Sequence, residues 1–103
     1  MGVYAETDFT IICKNKIVAE KVLKTLKALT KKGDEHGNTF GTHLKRYDNQ
    51  VEGFESSGRY QNLEYRCEAM WEAVKDIKGV EEASFPFMSE ADGQFFTNEK
   101  YGE

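Results

Sequence analysis

Two cysteines, Cys13 and Cys67, and two histidines, His36 and His43, are the only thiol and imidazole groups in this 103-residue chain. No pair of them stands at zinc-site spacing, so the sequence points to no metal and no cofactor. Asp34, Glu35 and His36 in "DEHGN" could meet a divalent ion, but a polar run of this kind reads first as a solvated loop. The cysteines fall on apolar stripes far apart in the chain, which favours two buried free thiols over a disulfide. Ser56, Ser57, Ser84 and Ser89 lie in no nucleophile elbow, and "GNTFG" matches no phosphate-binding loop. Glu52 with Glu55, or Glu81 with Glu82, could form an acid/base pair. In a chain with 18 acidic residues such neighbours arise by chance and read as a solvated face. No catalytic residue is assigned, and an enzyme is not expected.

Charge is distributed more unusually than chemistry. The formal net charge is −4, yet Lys14 to Lys32 carries +6 and the remainder carries −10. One basic face on an otherwise acidic body follows from that segregation. No run of eighteen apolar residues suggests a membrane span. "MGVYAETDFT" lacks the order of a signal peptide, and Glu6 stands where a myristoylation motif needs Ser or Thr. The expectation is one domain over residues 1–103, located in the cytoplasm.

The elements that must position these groups follow from periodicity. Val3 to Lys14 alternates, with Val3, Ala5, Phe9, Ile11 and Cys13 on one parity, and reads as a strand with one buried face. Asn15 can cap a helix in which Ile17, Val18, Val22, Leu26 and Leu29 form the apolar stripe and Gly33 the stop. Glu20, Lys24, Lys27 and Lys31 line its opposite side. Asp34 to Gly41 reads as a loop. Thr42 to Asp48 and Val51 to Ser57 read as two strands joined around "YDNQ", with Gly53 weakening the second or marking a bulge. Asn62 is expected to cap a second helix, with Leu63, Cys67, Met70, Val74 and Ile77 as one stripe and Gly79 as its end. Val80 to Met88 is a fourth strand and Gln94 to Lys100 a fifth strand or tail.

The series strand, helix, strand, strand, helix, strand predicts an α+β domain of the ferredoxin-like split β-α-β kind. Its antiparallel sheet would carry both helices on one face. Pro86 would place the fourth strand at an edge, because proline lacks the ladder donor.

Function is expected to reside in surfaces. The leading expectation is a small non-enzymatic regulatory or inhibitory module that binds a protein through an acidic face. Glu64, Glu68, Glu72, Asp76, Glu81 and Glu82 would form that face. Such a face could act on a nucleic-acid-handling partner by matching nucleic-acid charge, as small inhibitors from phage and other mobile elements do against host defence. The alternatives are a nucleic-acid binder using Lys24, Lys27 and Lys31, and a small-ligand binder or enzyme using the open sheet face near Tyr4, Thr10, Tyr47 and Phe54. Complementary basic and acidic strips would also suit a homodimer. In "ASFPFMSEADGQFFT", Ala83, Phe85 and Phe87 should face the core. Phe95 and Phe96 are adjacent and cannot both do so, which leaves one of them, with Met88, as a further partner-binding candidate.

Overall fold

In the computed structural model the described residues are 5–32, 42–57, 60–91 and 94–99, with side-chain surroundings described for fewer of them. The element order is β1 (Ala5–Cys13), α1 (Lys16–Lys32), β2 (His43–Tyr47), β3 (Gln50–Ser57), α2 (Tyr60–Val74), β4 (Val80–Ser84), β5 (Pro86–Ala91) and β6 (Gln94–Glu99). This is an α+β fold with an antiparallel sheet, and the strand–helix–strand–strand–helix–strand succession roughly follows the expected one. The sheet order is β2-β3-β1-β5-β6, with β4 also pairing β1.

Strand β1 is the centre of the sheet and shows why the pattern folds this way. Ala5, Thr7, Phe9, Ile11 and Cys13 are fully buried, whereas Glu6, Asp8, Thr10 and Ile12 on the other parity keep solvent exposure. The buried parity meets α1 and α2, which also touch each other, so both helices cover one face and leave the other open.

Helix α1 starts where expected: the Asn15 Oδ1 accepts the Val18 N–H at 3.0 Å. Ala19, Val22 and Leu26 fill the core, with Val18 and Leu29 at its margin. Ile17 departs from the expected stripe and is 77% exposed. It lies one residue inside the helix, in the first turn, while Ala19 takes the inward position. Gly33 and the 34–41 segment lie outside the described residues.

Helix α2 begins at Tyr60, so Asn62 sits inside it rather than capping it. Leu63, Cys67, Met70 and Val74 are all fully buried, as the stripe predicts. The helix closes at Val74, earlier than Gly79. Ile77 packs against the core from the turn beyond, where its N–H reaches the Val74 carbonyl at 3.0 Å. Gly79 ends that turn with φ of 104°, a conformation that favours glycine, and its carbonyl accepts the Lys14 N–H at 2.7 Å.

Gly53 is no bulge. β1 and β3 pair without a break from Ala5↔Ser57 to Ile12↔Gln50, and Phe9 sits directly opposite Gly53. A methyl group at Gly53 would lie 2.5 Å from Phe9 Cε2 and 2.8 Å from Cε1. The glycine gives the Phe9 ring its place. On the far side that ring stacks on Phe85, with centroids 4.6 Å apart and an interplanar angle of 18°.

Pro86 has a different role from the one expected. Beyond a register shift between Ile12 and Cys13, β4 and β5 keep one register along β1, with Thr10↔Ser84 on one side of the break and Thr7↔Phe87 on the other. They behave as one strand interrupted at Phe85 and Pro86, where the proline has no N–H for the ladder. The edge lies further out, because β6 pairs with β5, including Pro86↔Glu99.

The β2–β3 hairpin turns on Asp48 and Asn49, with Asp48 in the left-handed region at φ 54°. Asn49 ties the hairpin to the end of β1: its side-chain amide donates to the Cys13 carbonyl at 2.9 Å and its own carbonyl accepts the Cys13 N–H at 2.8 Å.

Candidate interaction surfaces and a buried charge cluster

The residues expected to form an acidic face lie on two parts of the chain. On α2, Glu68 and Glu72 are exposed and Glu64 is half-buried; Asp76 is exposed in the turn that follows. Glu81 and Glu82 are exposed on β4, which pairs with β1 beside the end of that turn. One local cation moderates the charge: Lys75 Nζ lies 3.0 Å from Glu72 Oε1. The hydrogen bond to Glu72, and then that residue's charge, raises the Lys75 ammonium pKa. Exposed pairs of this kind are worth little in stability.

The lysine side of α1 is as exposed as expected. Lys24, Lys27 and Lys31 are all exposed, and among the described residues none of them makes an ion pair. Glu20 is the exception on that stripe, with Oε1 3.9 Å from Arg46 Nη2 of β2. Arg46 Nη1 also donates to the Asp48 carbonyl at 2.9 Å. α1 packs against β2, and Arg46 of β2 shares the helix-covered side with the lysine stripe, whereas Lys45 faces the open side of the sheet.

The open sheet face carries rows set by register. His43, Phe54 and Asp8 share one row; Lys45, Glu52, Thr10 and Ser84 the next; Tyr47, Gln50, Ile12 and Glu82 the third. Phe54 is 37% exposed and Tyr47 54% exposed. Thr10, Tyr47 and Phe54 therefore do share a face, in a mixture of charges and aromatic rings. Tyr4 lies outside the described residues. Met88, Phe95 and Phe96 occupy β5 and β6, with Phe95 opposite Glu90 and Phe96 opposite Ser89, so consecutive residues alternate in the ladder. The side chains of these three, and of Phe87, lie outside the described residues.

The one buried ion pair among the described residues joins Glu55 to Arg66, two residues that no sequence motif singles out. Glu55 is 1% exposed and faces the helices, as its parity with Val51 and Gly53 requires. Arg66 Nη1 of α2 donates to Glu55 Oε2 at 2.7 Å, and the Thr42 hydroxyl donates to Oε1. Thr42 holds the next register position after the pair His43↔Phe54, which sets it opposite Glu55. Glu52 points the other way and accepts the Gln50 amide at 3.0 Å. The two carboxylates therefore do not form the acid/base pair considered above. Alternation within "QVEGFES" was the available signal: Glu55 is in step with a valine, Glu52 is not.

Cys13 and Cys67 are both free and buried, as expected. Burial pushes the Cys67 thiol well up, and the neighbouring Glu55 and Glu64 charges push it further. Burial, then Glu81, raises Cys13. Thiols held protonated in this way are poor nucleophiles and poor ligands. No helix among the described residues is long and apolar enough to cross a membrane.

No family model, curated protein or solved structure matches this chain.

Proposed function

We propose that this chain is a small non-enzymatic binding module that regulates or inhibits a protein partner through its acidic face, on a ferredoxin-like split β-α-β scaffold in the cytoplasm. The observation that supports it is the nearness in the chain of exposed Glu68, Glu72, Asp76 and Glu81 from α2 into β4, on the scaffold of a chain whose lysines are concentrated in α1. A surface of one sign steers a partner of the other and can match the charge of a nucleic acid in a protein groove. A nucleic-acid-handling protein is the partner class this reading favours.

The test compares proteins retained from a host extract by the wild-type chain and by a Glu68→Lys, Glu72→Lys, Asp76→Lys variant, at ~50 and ~300 mM salt, conditions that bracket physiological screening. Specific partners should be lost from the variant and weakened by salt. Retention indifferent to both changes sinks the acidic-face reading.

The exposure of Lys24, Lys27 and Lys31, with no ion pair among the described residues, favours a second reading, contact with a nucleic-acid backbone. It requires an oligonucleotide complex at ~50 mM salt that disappears steeply as salt rises.

A further inference from the structure

Strand β2 ends the sheet, and among the described residues nothing pairs with its outer edge. Its two-residue turn fixes which backbone groups face outward. Tyr47↔Gln50 closes the turn as a hydrogen-bonded pair, so Tyr47, Lys45 and His43 turn their N–H and C=O groups toward β3. Leu44 and Arg46 turn theirs away from β3, where no described strand pairs with them. "HLKRY" contains no proline, and its pairing with β3 has no irregularity that would bend the edge out of use.

A second feature runs alongside. β1 and β2 are both antiparallel to β3, so α1, which links the end of β1 to the start of β2, must run back along the sheet. The Glu20–Arg46 contact anchors one end of the α1 stripe to the far end of β2. Lys24, Lys27 and Lys31 follow Glu20 at helical spacing and so proceed toward the start of β2. From Lys24 to Lys31 the helix rises ~10 Å, against ~14 Å for the five residues of β2. The lysine row runs beside most of the open edge.

We infer that the outer edge of β2 is a docking strand for an extended acidic peptide. The peptide adds to the sheet by main-chain pairing at Leu44 and Arg46 and sets alternate carboxylates against Lys24, Lys27 and Lys31. Strand addition supplies the affinity, and the lysine row selects the charge. A second copy of this chain fits less well, because two β2 edges would bring Lys45 and Arg46 against their own kind. A nucleic acid would satisfy the lysines but would leave Leu44 and Arg46 without main-chain partners. This site lies apart from the acidic face, so either can fail without the other.

The experiment uses the full chain and a fluorescein-labelled octapeptide alternating Glu and Val, followed by fluorescence anisotropy at ~50 mM salt, where exposed charges are weakly screened. Its fully N-methylated counterpart keeps the charge and cannot donate to the edge. Binding of the first, with a loss of tenfold or more for the second, is expected. The variant Lys24→Glu, Lys27→Glu, Lys31→Glu should also weaken binding about tenfold or more, as three lost contacts between exposed charges imply. Three outcomes overturn the inference: equal binding of the methylated peptide, binding of a single-stranded oligonucleotide but not of the peptide, or a chain that sediments as a dimer which the peptide does not dissociate.

Discussion

Glu52 and Glu55 are three residues apart in one strand, and the two faces of the sheet treat them as different kinds of group. On the open face Glu52 keeps solvent and shares a hydrogen bond with Gln50. On the covered face Glu55 has no solvent and holds Arg66 and Thr42 instead. A carboxylate taken from water is stable only if its lone pairs are filled by donors, and a matching charge must come with it. The covered face is therefore the side where one substitution propagates, and the open face is where residues are free to serve a partner.

The largest expected contrast breaks that pairing. Arg66→Met leaves an uncompensated buried carboxylate and should cost about 3–5 kcal/mol in urea unfolding. Glu52→Gln on the opposite face should stay within ~0.5 kcal/mol. The double change Glu55→Leu, Arg66→Met should recover much of the loss, because an apolar pair has no charge to desolvate. If Arg66→Met is as mild as Glu52→Gln, the cluster is not holding the fold.

A smaller contrast concerns Gly53, which shares the covered face with Glu55. Gly53→Ala drives a methyl group into the Phe9 ring, and Phe85 stacked behind it blocks retreat. Overpacking of this kind costs about 1–3 kcal/mol. A Phe9→Leu change alone opens a void, but in the Gly53→Ala background it should be less harmful than alone, since the methyl group occupies part of that void. Additive losses from the two changes would show that the ring does not rest on the glycine.

These cases also mark what was legible in the sequence. Wherever one physical effect decided a position, the residues announced it: the period-two burial of β1, the Asn15 cap, the α2 stripe and the turn at Asp48-Asn49. Where two effects compete, composition misled. Ile17 is apolar, yet its place in the first turn of α1 puts it in water. Glu55 is charged, yet strand parity carries it inward to a partner on another element, which no local pattern reveals. Pro86 does lack a ladder donor, but a neighbouring strand beyond it made that an interruption rather than an edge. The surfaces were the most legible part of the candidate site, because Lys24, Lys27 and Lys31 of α1 and Glu68 and Glu72 of α2 face solvent as their helical spacing required. The edge of β2 was not, since its outward groups belong to the backbone and no side chain encodes them.

The smallest expected effect asks whether the covered face excludes charge in general or only tolerates a matched pair. Cys67 lies on α2 among the core residues, and burial, then Glu55 and Glu64, raises its pKa above the ordinary value of 9.0. Above that pH the unfolded chain loses the thiol proton while the folded chain keeps it, so the folded state binds more protons. Stability from this group is therefore intact below pH 9 and declines as pH rises further, by up to ~1.4 kcal/mol per unit. Lysines and tyrosines also begin to titrate there, so the informative quantity is a difference. Between pH 9 and 10 the urea midpoint of wild type should fall more than that of Cys67→Ala, whose own constant packing loss cancels from the slope. Parallel slopes would mean that the thiolate is accommodated, and that the covered face is less closed to charge than Glu55 and its two donors imply.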